Sequence, residues 1–316
     1  MDNQMLVQSS PHLVTKNSTS RVMLDVLIAL TPAIAAASVI FGLRALLLIA
    51  VTVASSVLFE YLFRILLKRK NTISDLSAAV TGLILALNLP AGLPIWQAVF
   101  GSLVAIVVVK QLFGGLGKNF ANPALTARIV LLLSFTSSMN SFSIRGEGSA
   151  LDLVSSATPL ASMLDGAKKT PYLDLFLGTH AGAIGETCAL ALLIGLAYLL
   201  VRRVITWHIP VSFVGTVAIF SLIGDRDVLF QILSGGLLLG AIFMATDYVT
   251  SPASPVGKLV FGCGCGAITV LIRFFGGTEG VSYGILLMNI LTPYIDRLTR
   301  RRPLGLRRQA KGGDAK

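Results

Sequence analysis

Apolar residues in this chain run in unbroken stretches, separated by short polar interruptions, rather than alternating along the sequence. A helix rises about 1.5 Å per residue, so roughly twenty apolar residues match the hydrocarbon thickness of a bilayer. Windows of that length place spans at 22–41, 43–63, 76–89, 95–113 and 123–136, then at 184–201, 209–223, 228–245, 259–275 and 281–295. The third and fifth are short. The pattern predicts an all-α polytopic membrane protein of about ten transmembrane helices. The runs exceed the ten-residue alternating strands of an outer-membrane barrel, and in lipid a helix satisfies its own backbone.

The polar gaps divide the chain into an N-terminal segment 1–21, a first membrane half 22–139, a loop 140–183, a second membrane half 184–296 and a basic tail 297–316. The halves resemble each other faintly. Residues 82–113 followed by Gly114-Gly115 read like residues 236–275 followed by Gly276-Gly277. A duplicated unit with an odd number of spans inserts in opposite senses, giving two inverted five-helix repeats with interrupted helices. The alternative is that membrane helices look alike in any case.

Composition agrees with a lipid solvent: 54% of the 316 residues are hydrophobic and 13% charged. The net charge of +11 does not indicate nucleic acid, because the basic residues sit between apolar runs and in the tail. Counted on alternating sides, Lys16, Arg21, Arg64, Lys68, Arg69, Lys70, Lys110, Lys118, Arg202, Arg203, Lys258 and the tail fall on one side. Only Arg44, Arg145, Lys168, Lys169, Arg226 and Arg273 fall on the other. The positive-inside rule makes the rich side cytoplasmic, so both termini face inward across the inner (cytoplasmic) membrane and loop 140–183 lies outside. The polar first twenty residues and the length of the first run argue against a cleavable signal peptide. Cys188, Cys263 and Cys265 lack metal-ligand spacing, and Cys-Gly-Cys does not match common iron-sulfur clusters.

Charges within apolar runs need an account. Glu60 precedes Arg64 by one turn, which predicts an i,i+4 pair. Asp25 and Asp296 border the interface, where solvation suffices. Arg128 lies one turn inside a short span, after the Gly/Asn-rich break that runs from Gly114 through Asn119 to Asn122-Pro123. Its planar cation could meet a ring edge, a phosphate or helix-end carbonyls, or serve as a clamp on the broken helix. His12 reads as interfacial, and His180 and His208 as exposed at loop ends. In the loop, Asp152 through Thr158 gathers small hydroxyl residues beside an acid; Asp152 or Ser155 would be a helix N-cap and Pro159 a first-turn proline. A hydroxyl among small residues also suits attachment of a bulky phosphorylated group.

Several motifs occur together: Ser10-Pro11-His12, residues 114–123, Asp152 to Thr158, Met244-Ala245-Thr246-Asp247, and Val249-Thr250-Ser251-Pro252. In this order they resemble the D subunit of the Rnf electron-transport complex, which is similar to the B subunit of the sodium-pumping NADH:quinone reductase. The short N-terminal region favours the Rnf type. The resemblance implies FMN joined by a phosphoester to Thr158, made by a separate flavin transferase, with Asp152, Ser155, Ser156 and Ala157 completing the recognition motif. It also implies a non-covalent second flavin, such as riboflavin; Arg128, Asn119 and Asn122, at the Gly/Asn-rich break, are the candidates for contact with a flavin or with the broken helix. Phe120-Ala121 departs slightly from the family's polar-aromatic pair before Asn-Pro. Asp247 and Asp296 fall where acids are associated with cation movement.

The implied activity is that of a relay subunit in an ion-translocating ferredoxin:NAD oxidoreductase coupled to Na+ or H+ transport. The chain has neither a dinucleotide fingerprint nor a cluster-binding cysteine set, so partners would handle NAD and ferredoxin. Those partners would include an extracytoplasmic flavoprotein subunit and membrane subunits carrying an iron-sulfur cluster. A quinone-reductase B-like component, a secondary transporter and a passive scaffold are the alternatives.

Overall fold

The computed structural model describes residues 18–68, 73–145, 153–164 and 170–299. The Ser10-Pro11-His12 motif, Lys16, Arg69, Lys70, Asp152, Lys168, Lys169 and the tail from residue 300 lie outside the described residues. Helix α1 (Thr19–Phe41) starts where Ser18 accepts a hydrogen bond from the Arg21 N–H, and it ends at Gly42. Gly42 has φ of 73°, which only glycine adopts without strain, and α2 (Leu43–Leu66) follows directly. These two helices and the later one at Pro255–Phe274 are long and apolar enough to cross a membrane, whereas five further apolar helices are shorter.

Several of the short ones border breaks in the helical run. Helix α3 (Ser77–Leu87) has 11 residues, a rise of roughly 16 Å, about half a bilayer core. It stops at Asn88-Leu89-Pro90, and α4 (Ile95–Leu103) continues as a π-helical stretch Val104–Gln111. Helix α5 (Pro123–Ser134) and the short α6 (Thr136–Met139) close the first half.

The loop carries two short strands, β1 (Ser143–Arg145) and β2 (Leu153–Ser155), paired antiparallel with Ser143 opposite Ser155. This small hairpin in the loop leaves the chain all-α in class. Helices α7 (Pro159–Leu164) and α8 (Tyr172–Leu177) follow. Leu160 and Leu175 pack with Phe230 in a small buried cluster, which docks the loop on the second half.

That half comprises α9 (Ala189–Val201), α10 (His208–Ile223), α11 (Val228–Leu233), α12 (Leu237–Leu239) with a π-helical continuation Gly240–Met244, α13 (Pro255–Phe274) and α14 (Gly280–Thr299). Two expected spans are revised here. Residues 184–188 are a buried turn rather than the start of a helix, and the run 228–245 is interrupted at Ser234-Gly235-Gly236. The turn is not helical because its backbone bonds across to the first half: Ile184 N–H donates to the Leu89 carbonyl at 3.0 Å and Gly185 N–H to that of Leu87 at 2.7 Å. Each break thus satisfies polar groups that the other leaves open, as a buried interior demands.

Close packing of α13 on α10 accounts for the Cys-Gly-Cys region. A Cβ on Gly266 would stand 2.7 Å from that of Thr216, and one on Gly262 would collide with Ser212. Cys265 is buried and Cys263 exposed, on different sides of the helix.

Several charges expected at interfaces are buried. Asp25 accepts from the Tyr198 hydroxyl at 3.0 Å and pairs with Arg202 at 3.2 Å, joining α1 to α9. Glu60, expected beside Arg64, pairs with Lys110 at 2.7 Å, both side chains 1% exposed. Lys110 also donates to Ser77 Oγ at 2.6 Å. It is therefore no solvated topological charge; the π-helical turn aims it inward. Arg273, counted as a loop charge, is buried and holds the second break by donating to the carbonyls of Gln231 at 2.6 Å and Ser234 at 3.1 Å.

Candidate functional site

Thr158 ends the segment after β2, which is held to β1 by the Ser156 N–H bonding to the Phe142 carbonyl at 2.9 Å. Its Oγ1 accepts from the Ala161 N–H at 3.3 Å, so Thr158 itself caps α7, in place of Asp152 or Ser155, with Pro159 as first helical residue as expected. Ser156 and Ala157 are exposed and Thr158 is half-buried. Ser155 lies within β2.

Thr158 lines a cleft whose walls include Arg128, His180, Glu186, the Gly235-Gly236 break and Glu279. Along the sequence Thr158 and Arg128 belong to separate features, and the fold brings them to one cavity. Arg128 Nη1 donates to Asn88 Oδ1 at 2.8 Å, and Nη2 lies 2.9 Å from Glu279. Asn88 in turn donates to the Ile84 carbonyl at 2.6 Å and contacts the Met244 sulfur at 3.4 Å. Arg128 is therefore a clamp on the broken helices of both halves, and it stands in the wall of the Thr158 cleft as well.

Sequence reasoning missed Glu186. Its Oε1 accepts from the Ala183 N–H at 3.0 Å, while Oε2 is buried with no hydrogen-bond partner among the described residues. Arg273, Arg128 and Glu279 all act on it electrostatically. The signal was an acid inside an apolar window. His180, expected exposed, is buried, its Nδ1 3.1 Å from the Asp174 carbonyl. Burial pushes its pKa below the ordinary value, against the smaller pull of Asp174. His208 is half-buried and stacked on Trp207 with ring centroids 4.3 Å apart.

The remaining candidates gather elsewhere. Asn122 caps α5 by accepting from Ala124 and Leu125 at 3.1 and 3.3 Å, and it donates to the Met244 carbonyl at 3.3 Å. Its amide is committed to joining the halves. Asn119, Lys110 and Asp247 line a second, largely apolar cavity walled by α1, α3, α9 and the Gly240–Met244 segment. Asn119 Oδ1 is buried there with no hydrogen-bond partner among the described residues. Asp247 holds the following turn through Val249 N–H and Thr250 Oγ1, both at 3.2 Å. Asp296 reaches the far end of that turn, accepting from the Ala253 N–H at 3.1 Å. One irregular segment between the π-helical stretch and α13 thus engages both acids.

This geometry coincides with a match over residues 6–305 to the model of the NQR2, RnfD, RnfE family. The chain is 48% identical to the D subunit of the Na(+)-translocating ferredoxin:NAD(+) oxidoreductase complex of Acetobacterium woodii, covering 98% of each. It is 40% identical to the D subunit of the proton-translocating ferredoxin:NAD(+) oxidoreductase complex of Clostridium ljungdahlii, over 97% of this chain and 98% of that one. With the D subunit of the ion-translocating oxidoreductase complex of Escherichia coli identity is 36%, over 96% and 99%. A family match and relatives that run the length of the chain carry one conclusion: this protein belongs to the NQR2, RnfD, RnfE family.

Proposed function

We propose that the chain is the flavin-bearing membrane subunit of an Rnf-type ferredoxin:NAD oxidoreductase, with FMN phosphoester-linked to Thr158 and electron transfer coupled to Na+ or H+ movement. The observation that carries this reading is the position of Thr158. It is half-buried, follows two exposed small residues, and opens on a cleft lined by buried charged groups. Those features fit a tether: a transferase can reach the hydroxyl, and the cleft offers polar partners to a cofactor. FMN supplies redox chemistry when bound, and the protein supplies attachment, orientation and electrostatics.

The second cavity suits a non-covalent flavin such as riboflavin, because apolar walls take a ring and Asn119 and Lys110 offer polar atoms to its edge. NAD and ferredoxin belong to partner subunits on this reading. Ten crossings, cytoplasmic termini and an external loop 140–183 complete it. A π-helical stretch in each half, Val104–Gln111 and Gly240–Met244, supports the inverted repeat.

The test is direct. The chain is expressed with its flavin transferase, denatured, run on a gel and illuminated with ultraviolet light. Fluorescence stays with the wild-type band and is lost in Thr158→Val. A dark wild-type band refutes the flavin assignment, and labelling that places residue 158 in the cytoplasm refutes the topology.

A further inference from the structure

Arg128, Glu186 and Glu279 line the cleft beneath Thr158, and Arg273, behind the Gly235 wall, completes a balanced set of buried charges contributed by separate elements. Arg128 comes from α5, Arg273 from α13, Glu279 from the turn before α14, and Glu186 from the turn before α9. His180, on the same wall as Glu186, has its pKa lowered by burial. Two guanidinium groups face two carboxylates, so the set is neutral while Glu186 is ionised.

The four are not equally engaged. Arg128 is bonded to Asn88 and Glu279, and Arg273 to Gln231 and Ser234. Glu186 Oε2 lacks a hydrogen-bond partner among the described residues, although the side chain is only 8% exposed. It faces the Gly235-Gly236 break, where a Cβ on Gly236 would lie 2.8 Å from it. An open acceptor atom in a buried, charge-balanced cleft is a place where a proton can be added without breaking an existing bond. Charges interact strongly where water is scarce, so an added negative charge in the cleft favours that protonation.

We infer that Glu186 is the proton-exchanging group of the Thr158 cleft, taking up a proton on Oε2 when an electron enters the tethered cofactor and releasing it when the electron leaves. This rests on the flavin reading above. The step balances. A one-electron donor adds one negative charge, one proton from the external water forms the Oε2–H bond, and the cleft gains no net charge. Glu186 acts here as a positioning and proton-holding residue.

The flavin-loaded full chain tests it through reductive titration at several pH values and through a reduced-minus-oxidised infrared spectrum. In wild type the flavin potential falls as pH rises, and reduction produces a protonated-carboxyl band that shifts in D2O. Glu186→Gln keeps the fluorescent band on a denaturing gel but flattens the pH dependence and loses the carboxyl band. A Glu186→Gln protein that carries flavin and retains both signals overturns the inference. So does loss of both signals in Glu279→Gln while Glu186→Gln keeps them. Should the Gln variant fail to accumulate, Glu186→Asp retains a carboxyl at a shorter reach, and an unmoved band in that variant also overturns it. A dark wild-type band defeats the flavin reading instead, and this inference falls with it.

Discussion

Removing Lys110 is the sharpest test of the buried architecture. Its ammonium lies 2.7 Å from Glu60 Oε2 and 2.6 Å from Ser77 Oγ, with both ionic side chains 1% exposed. The pair ties the π-helical stretch to α2 and the start of α3. Lys110→Met removes one charge of the pair and takes from the buried Glu60 carboxylate its contact at 2.7 Å. Breaking one side of a buried ion pair costs roughly 3–5 kcal/mol, because the remaining charge is not resolvated. At about 1.4 kcal/mol per factor of ten, the folded population drops by roughly two to three and a half decades relative to the unfolded one.

Replacing both partners, as Glu60→Gln with Lys110→Met, removes both desolvated charges and restores most of that loss. The assay is the temperature at which half of the detergent-purified protein still runs as a monodisperse peak. The single variant shifts far below wild type and the double variant returns most of the way. Equal stability of Lys110→Met and wild type would show that Lys110 is solvated, as counting charges along the sequence assumes. A double variant as damaged as the single would show that the ion pair is not the source of the loss.

Two further perturbations follow from the cleft. Gly236 has φ of −75°, so alanine is conformationally acceptable, but its methyl would stand 2.8 Å from Glu186 Oε2. Gly236→Ala therefore loses roughly 1–3 kcal/mol by overpacking, and Glu186→Asp in the same chain recovers part of it, which thermal stability of the four proteins checks. His180 has a folded pKa below its unfolded value near 6.5, so the unfolded state binds the proton more readily. Stability is full above that value and falls as the pH drops through it toward the lower folded pKa. The melting temperature of wild type declines on acidification below about pH 6.5, and His180→Gln shows less decline; parallel curves would refute the assignment.

The helices were largely legible because apolar run length reports membrane-spanning potential directly, as at 19–41 and 43–66. The breaks were only partly legible. Asn122-Pro123 and Gly114-Gly115 announce theirs through capping and turn chemistry, but residues 184–188 and 234–236 sit inside apolar windows. What ends the helix at 184–188 is a backbone hydrogen bond to a distant segment, which leaves no local trace, and at 234–236 Gly235-Gly236 is a local signal that the arginine from α13 completes. Individual charges were misplaced for a related reason. Lys110, Arg273 and Asp25 look like boundary residues along the chain, while their partners Glu60, Gln231 and Tyr198 are supplied by other helices. Glu186 was discoverable, since it falls inside an expected span and an acid there calls for an account. The resemblance of the Asp152 to Thr158 motif drew attention to the hydroxyl and away from the cleft on which it opens.

The placement of these charges bears on coupling. Arg128 is held by Asn88 of the first half and Glu279 of the second, while the turn bearing Glu186 bonds its backbone to residues 87–89. The charge set therefore lies on the seam between the halves, and its energy depends on how they are seated. A ligand or charge shifts a conformational equilibrium only by its differential interaction with the two states. An electron delivered beside a neutral ionic seam unbalances it, and the imbalance is relieved by a proton on Glu186, by a cation, or by a change in the seating of the halves. Electrons placed at a solvated surface would be screened and would exert no such force. On the proposed reading, tethering the cofactor at Thr158 puts the redox event where the interface responds to it. That is the physical requirement for a redox subunit that also governs ion movement.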